Sequence, residues 1–366
     1  MKRMCAALLA LMLLSGGARA AGPAVSARSA ILVDGDSGRV LWSHNAGERL
    51  PIASTTKLMT ALVALESGVP LKARVEIKAP WTGIEGSSMY LRAGETLTLE
   101  ELLYGVLLVS GNDAATAVAG ACAGDVETFV AQMNQKAAEL GMADTHFTTP
   151  SGLEDEGNYS TATDMAKLAR AVLERETLVE IASTKSITLA GRTLVNHNKL
   201  LGQYEGCLGL KTGYTQQAGR TLVSAARREG ETRIVVTLND RNDWADHAAL
   251  LDYGFSGWSH ATLAHAGETL ARVPVTGSLI PFLPAAAAET VCCPLAPEEE
   301  VRRDLELPAQ ALAPLEAGET AGRVRFYVGE ALVGESALIW AGGAQDDRTG
   351  GRRWYDWLEE FWLGLA

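Results

Sequence analysis

The sequence is sparing with several kinds of residue, and each shortage removes a class of chemistry. Five cysteines occur in 366 residues, with no C-x-x-C and no Cys/His spacing suited to zinc, so neither a metal nor a cofactor is expected. Positive charge is in short supply, with 32 Lys and Arg against 44 Asp and Glu. A surface this acidic argues against a nucleic-acid partner. No internal repeat is evident. No G-x-S-x-G is present, and none of the six histidines sits in a serine-hydrolase motif, which removes the nucleophile-elbow hydrolases. The longest apolar run near the start, in "MKRMCAALLALMLLSGGARA", spans only about ten residues, too few to cross a bilayer.

What that opening has instead is Lys2 and Arg3, the short apolar run and a small-residue end. This is the pattern of a secretory signal peptide over residues 1–21, cut after Ala20 or Ala21. The expected location is outside the cytoplasm, on the outer face of the cytoplasmic membrane. Without Lys2, Arg3 and Arg19 the chain keeps 29 basic and 44 acidic residues, a formal net charge of −15. Cys5 leaves with the signal. Cys122, Cys207, Cys292 and Cys293 remain, and an exported chain could pair Cys122 with Cys207 or keep buried free thiols. The remaining length exceeds one typical domain, so two are expected.

The pattern changes period along the chain. "AILVDGDSGRVLW" (30–42) reads as a hairpin around turn residues. From Ser54, Leu58, Leu62 and Leu65 fall at helical spacing up to Gly68. "TLTLEELLYGVLLVS" is a second helix, with Thr98 and Glu101 in a capping-box pattern. Further helices are predicted at 126–140 and 164–174, with Asp164 as a helix-start residue, then strands over 208–238 and a short amphipathic helix in "DWADHAALLDYGF". One α+β domain over 22–263 satisfies this order: an antiparallel five-stranded sheet formed by both ends of the segment and covered by helices. A small all-β domain is expected over 264–345, with the Ala/Pro-rich stretch 281–297 as a long loop. Residues 346–366 form a separate piece. Trp354, Trp357, Leu358, Phe361, Trp362 and Leu365 recur at steps of three and four, beside Arg352 and Arg353. Three of the chain's eight Trp fall here. The pattern predicts an amphipathic helix lying on a membrane surface, with docking on the protein's own core as the alternative.

Three short patterns carry the chemistry. In "PIASTTKLMTAL", Ser54 stands at a helix start with Lys57 one turn later, on the same face. A serine hydroxyl is a weak nucleophile until a base takes its proton. A lysine can be that base when burial or a second cation disfavours its charged form. Lys211, in "GLKTGYTQQAGR", could supply that cation. "SGN" (Ser110-Gly111-Asn112) follows the apolar helix. Ser54 is the only serine followed by Lys at the third position, and Lys-Thr-Gly occurs once. Ser43-His44-Asn45 has the same form as the second pattern but precedes Ser54 and lies by a strand.

Ser54-Thr55-Thr56-Lys57, Ser110-Gly111-Asn112 and Lys211-Thr212-Gly213 resemble the three motifs of the penicillin-recognising serine enzymes, a set shared by β-lactamases and penicillin-binding proteins. The surrounding "TTPSGL" and "YSTATDMAKLARAVL", the small β domain and the final amphipathic segment look like the low-molecular-mass penicillin-binding proteins, the D-alanyl-D-alanine carboxypeptidases. The resemblance covers nearly all of the chain after the signal. It implies a β-lactamase/transpeptidase-like fold and removal of the terminal D-alanine from peptidoglycan stem peptides, as part of cell-wall synthesis and cell shape. It implies an acyl-enzyme at Ser54, with Lys57 as base and Ser110 passing a proton to the leaving amine. The backbone N–H groups of Ser54 and Tyr214 would form the oxyanion hole. Asn112 would hold the peptide amide and Lys57, Lys211 would supply the positive field, Thr212 would bind the substrate carboxylate, and Gly213 would let the peptide lie along the strand edge. Arg241, just after the strand meander, is the candidate fork for that carboxylate, or else a surface arginine paired with Asp240 or Asp243. β-Lactam antibiotics are expected as covalent inhibitors. His197 and Trp244 carry no functional signal.

Other readings remain on the same residues. A β-lactamase needs a carboxylate that activates a deacylating water, and no E-x-x-L-N loop lies between Ser110 and Lys211. A DD-endopeptidase would use the same chemistry on a larger leaving group. A non-catalytic peptidoglycan-binding protein would keep the fold without needing every motif side chain.

Overall fold

The computed structural model describes residues 22–153 and 157–348. The expected signal peptide 1–21 and residues 349–366 of the expected terminal helix lie outside them. The chain divides into two compact units at Gly257/Trp258. That is six residues before the expected boundary, because the strand Ser259–Ala264 pairs with Val291–Leu295 of the second unit.

In the first unit the strands are β1 (Ser29–Asp34), β2 (Val40–His44), β3 (Cys207–Thr215), β4 (Gly219–Arg228) and β5 (Glu231–Leu238). They form one antiparallel sheet in the order β2-β1-β5-β4-β3. The two ends of the segment therefore meet at its centre, where Ile31 faces Val236 and Leu32 faces Val235. The central strands read as nearly unbroken apolar runs because both faces are covered. Ile234, Val236 and Leu238 join the large core of Leu58, Leu62, Leu103 and Met165. On the other face lies the helix Asp243–Ser256, whose His247 is fully buried between Ser224 Oγ (2.6 Å to Nδ1) and Thr237 Oγ1 (2.9 Å to Nε2). Two adaptable hydroxyls suit a neutral ring, and burial pushes the His247 pKa down to about 3. On that same face Arg233, wholly buried, donates to Asp34 at 2.6 Å and to the carbonyl of Gly254 at 2.9 Å.

The helices that carry the motifs are α1 (Lys57–Glu66), preceded by a 3-10 turn Ala53–Thr56, α2 (Leu99–Leu107) and α3 (Asn112–Ala123). The Thr98 capping box forms as predicted: Glu101 N donates to Thr98 Oγ1 at 3.1 Å, and Thr98 N donates back to the Glu101 carboxylate at 2.7 Å. Val126–Glu139 and Ala162–Leu173 fall where helices were expected. At the start of the latter, Thr161 caps Asp164 N, while the Asp164 carboxylate accepts from Asp144 N and Thr145 Oγ1, a structural role. Cys122, Cys207, Cys292 and Cys293 are all free thiols.

The second unit is a β-domain with a six-stranded sheet and a separate strand pair. The expected loop over 281–297 is instead two strands, Phe282–Ala287 and Val291–Leu295. Alanine has weak strand preference by itself, but Ala285, Ala286 and Ala287 are buried between neighbouring strands, where a small side chain fits.

Candidate active site

The fold brings the three motifs to one cleft of about 380 Å³, lined by Ser54, Ser110, Thr212, Gly213 and Tyr214 among others. Ser54 sits in the 3-10 turn that leads directly into α1, and the helical advance places Lys57 beneath it. Lys57 Nζ lies 3.0 Å from Ser54 Oγ, 2.7 Å from Asn112 Oδ1 and 2.6 Å from the Ser151 carbonyl. Its side chain is fully buried. Burial drives the Lys57 pKa well below that of a free lysine, and the charge of Lys211 lowers it further against the pull of Asp113. The second cation anticipated from the sequence is therefore within electrostatic reach.

Lys211 is buried at the edge of the same region, with burial pushing its pKa down to about 7. Its strand, β3, is the outer strand of the sheet, so it offers an unpaired backbone edge to an extended peptide. Gly213 is required by close approach. A Cβ there would sit 2.4 Å from Thr221 Oγ1 and 3.1 Å from the Ser54 backbone nitrogen. A side chain would thus wedge the strand away from the nucleophile's turn.

Ser110 lies between α2 and α3 with a left-handed backbone, φ +60°, a costly conformation for serine that is found at functional sites. It is 4 % exposed, and its Oγ has no hydrogen-bond partner among the described residues. Asn112 opens α3. Its Nδ2 donates to Glu85 O at 2.6 Å, which leaves Oδ1 turned to Lys57. Asp113 beside it accepts from Met89 N, Leu91 N and Ser88 Oγ, and so fastens the segment that carries Ser87, another cleft residue.

The predicted Arg241 is exposed and is not among the residues lining the cleft. Arg220 is. It pairs in register with Tyr214, and Leu222 with Thr212, so by strand alternation Thr212, Tyr214 and Arg220 share one face. Arg220 Nε donates to Asp243 Oδ1 at 3.0 Å, and its Cζ stands 5.7 Å from the Trp244 ring centre. The cleft also takes in His197, Lys199 and Trp244. Burial, and secondarily the Lys211 charge, lowers the His197 pKa. Arg220 reaches the cleft wall through the β3–β4 hairpin, Trp244 through docking of its helix, and His197 from a loop in which its backbone N–H donates to Leu108 O, none of which a short motif announces.

The comparisons with known proteins agree with this arrangement. Residues 17–242 match the family described as peptidase S11, D-alanyl-D-alanine carboxypeptidase. The chain is 34 % identical to D-alanyl-D-alanine carboxypeptidase DacF of Bacillus subtilis, covering 92 % of this chain and 93 % of that one. It is 32 % identical to DacC of Escherichia coli, over 93 % and 90 % of the two chains. Among solved structures, penicillin binding protein 5 from Haemophilus influenzae superposes with a TM-score of 0.79 at 28 % identity, over 89 % of this chain and 99 % of that one. With residues of all three motifs lining one cleft, Lys57 buried against Ser54, and the match extending across most of the chain, this protein belongs to the peptidase S11 family of serine-type D-alanyl-D-alanine carboxypeptidases.

Proposed function

We propose that this enzyme removes the terminal D-alanine from peptidoglycan stem peptides through an ester at Ser54. The observation that carries the reading is the 3.0 Å approach of Lys57 Nζ to Ser54 Oγ beneath a cleft that also holds Ser110, Thr212 and Arg220. A neutral lysine has two N–H donors and one lone pair. The Asn112 and Ser151 oxygens take the two donors, and the lone pair is left facing the Ser54 hydroxyl. The base is therefore oriented by its own hydrogen bonds.

In the first step the Ser54 proton passes to Lys57 while Oγ bonds to the carbonyl carbon of the penultimate D-alanine. The backbone N–H groups of Ser54 and Tyr214 receive the developing negative oxygen. The C–N bond then breaks as the proton held by Lys57 passes through Ser110 to the departing amine, which leaves Lys57 neutral for the second step. Water attacks the ester, Lys57 takes its proton, and Ser54 recovers its hydroxyl. Asn112 holds Lys57 and the peptide amide, Lys211 supplies positive potential, and Gly213 leaves room for the peptide along β3. The substrate's free carboxylate is received by Thr212 and by Arg220, which takes the role expected of Arg241. Lys199 and Arg220 make the cleft wall basic on a chain whose net charge is −12, which suits an anionic substrate.

A β-lactam would acylate Ser54 by opening its ring amide. Among the described residues lining the cleft, Asp243 is the one carboxylate, and Arg220 holds it. No carboxylate there is free to activate a deacylating water, which favours a persistent adduct over lactamase turnover. The N-terminal pattern of residues 1–21 and the Trp-rich stripe of 354–365 support export and residence on the outer face of the cytoplasmic membrane. Among the described residues no helix is long and apolar enough to cross a membrane. The decisive experiment is D-alanine release from an acyl-D-Ala-D-Ala peptide, blocked by benzylpenicillin with mass added at Ser54. Absence of both release and adduct in folded protein would favour a non-catalytic binding protein.

A further inference from the structure

The β-domain presents a dense cluster of exposed apolar side chains at one end. Leu279 is 75 % exposed, Phe282 53 %, Leu312 56 % and Ile280 40 %. They come together through strand pairing. Strands Thr269–Thr276 and Phe282–Ala287 form a hairpin in which Pro274 faces Phe282, and the short strand Ala311–Leu312 runs alongside with Leu312 facing Thr276. Residues opposite one another, and two apart on one strand, share a face. Pro274, Thr276, Phe282 and Leu312 therefore form one outward face, and Leu279 and Ile280 cap it at the hairpin turn. Such a patch on a soluble domain marks an interaction surface.

The last described residues are tied to this same turn. Asp347 N donates to Gly277 O at 2.9 Å, and the Asp347 carboxylate accepts from Ser278 Oγ at 3.1 Å and Leu279 N at 2.5 Å. Arg348 donates to Ala313 O at 3.1 Å and pairs with Asp346 at 2.9 Å. Trp354, the first residue of the apolar stripe, is six positions beyond Arg348. Six residues reach at most about 20 Å, so wherever that stripe binds, the tip is close by. Between positions 346 and 353 the sequence carries Arg348, Arg352 and Arg353 against Asp346 and Asp347, a net charge of +1.

We propose that the tip of Leu279, Ile280, Phe282 and Leu312 is a second lipid-contact surface, seated in the interfacial layer of an anionic bilayer beside residues 352–366. The inference rests on the reading of those residues as an interfacial anchor. A hairpin end with bulky exposed apolar side chains, and with Arg352 and Arg353 four and five positions after Arg348 in the sequence, suits the acyl boundary beneath anionic headgroups. A single amphipathic segment binds reversibly, and a second contact held within about 20 Å raises its effective concentration at the surface.

The test is flotation of the protein with phosphatidylglycerol/phosphatidylethanolamine vesicles. Four chains are compared: full-length, shortened after Arg348, and each of these with Leu279→Ser, Ile280→Ser and Phe282→Ser combined. The substituted side chains are exposed, so the thermal midpoint and D-alanine release from a soluble peptide should stay unchanged, which confirms folding. The proposal expects the triple substitution to lower partitioning of the full chain by roughly tenfold or more, and to remove the weaker partitioning left in the shortened chain. Equal partitioning with and without the substitutions in both backgrounds overturns it. So does stronger binding by the shortened chain, which would mean that residues 349–366 cover the tip. If shortening changes nothing while the substitutions still weaken binding, the tip stands and the anchor reading falls.

Discussion

Arg220 Nε donates to Asp243 Oδ1 at 3.0 Å across the mouth of the cleft, which joins β4 to the helix Asp243–Ser256. The ion pair uses one edge of the guanidinium, and its terminal nitrogens have no other hydrogen-bond partner among the described residues. A fork fixed at one edge is preorganised to bind a carboxylate with the other.

Arg220→Leu should therefore lower kcat/KM on an acyl-D-Ala-D-Ala peptide by about 10- to 100-fold. On the same peptide with its terminus amidated the loss should be far smaller. Arg241→Leu should stay within about twofold on both, as expected of a surface change. Equal losses on acid and amide would mean that Arg220 acts only through packing.

Ser54→Ala and Lys57→Ala should each reduce D-alanine release by at least about 10⁴-fold. Neither should take up a fluorescent penicillin. Circular dichroism should show a retained fold for Ser54→Ala. Acylation of the Lys57→Ala protein near neutral pH would reject Lys57 as the base.

The two lysines give the rate a pH dependence with opposite signs. In the proposed mechanism acylation uses a neutral Lys57, so the rate should rise as pH climbs through its lowered pKa. It also uses a charged Lys211, so the rate should fall as pH passes its depressed value of about 7. The two amines interact, and the limbs therefore belong to the pair. Lys211→Arg keeps its charge at all accessible pH and should remove the alkaline limb of kcat/KM between pH 5 and 10 while keeping the acid limb. An unchanged alkaline limb in folded Lys211→Arg protein would assign it to another group.

His247 should make the fold acid-sensitive. Its folded pKa of about 3 lies below the ordinary value of 6.5, so between those limits the unfolded chain binds the extra proton. The contribution is complete above pH 6.5 and is lost progressively as pH falls towards 3. His247→Gln should cost about 1–3 kcal/mol at pH 7 through its lost hydroxyl contacts. It should also flatten the acid slope by up to ~1.4 kcal/mol per pH unit. Urea unfolding at pH 7, 6, 5 and 4 measures both, and parallel slopes for the two proteins would count against the buried neutral ring.

Much of this molecule is legible in local pattern. The Thr98 capping box, the helical spacing after Ser54 and the apolar runs of β4 and β5 are short-range signals, and each forms where expected. The Ser54–Lys57 contact is local as well, since a helical turn brings positions three apart together. The alanines of 285–287 show the opposite case, because their weak intrinsic preference says little about a strand that neighbouring strands bury.

The sequence by itself determined which side chains can do the chemistry: a serine with a lysine one turn on, and two further motifs in order. Tertiary structure alone decided the state and company of those groups. Burial of Lys57 beside Lys211 lowers its proton affinity, and the pairing of β3 with β4 sets Arg220, rather than Arg241, on the face of Thr212. Lys57 and Lys211 stand far apart along the chain, and Asp243, which fixes Arg220, lies on a helix beyond the next strand, so neither arrangement can be written into a short stretch of chain.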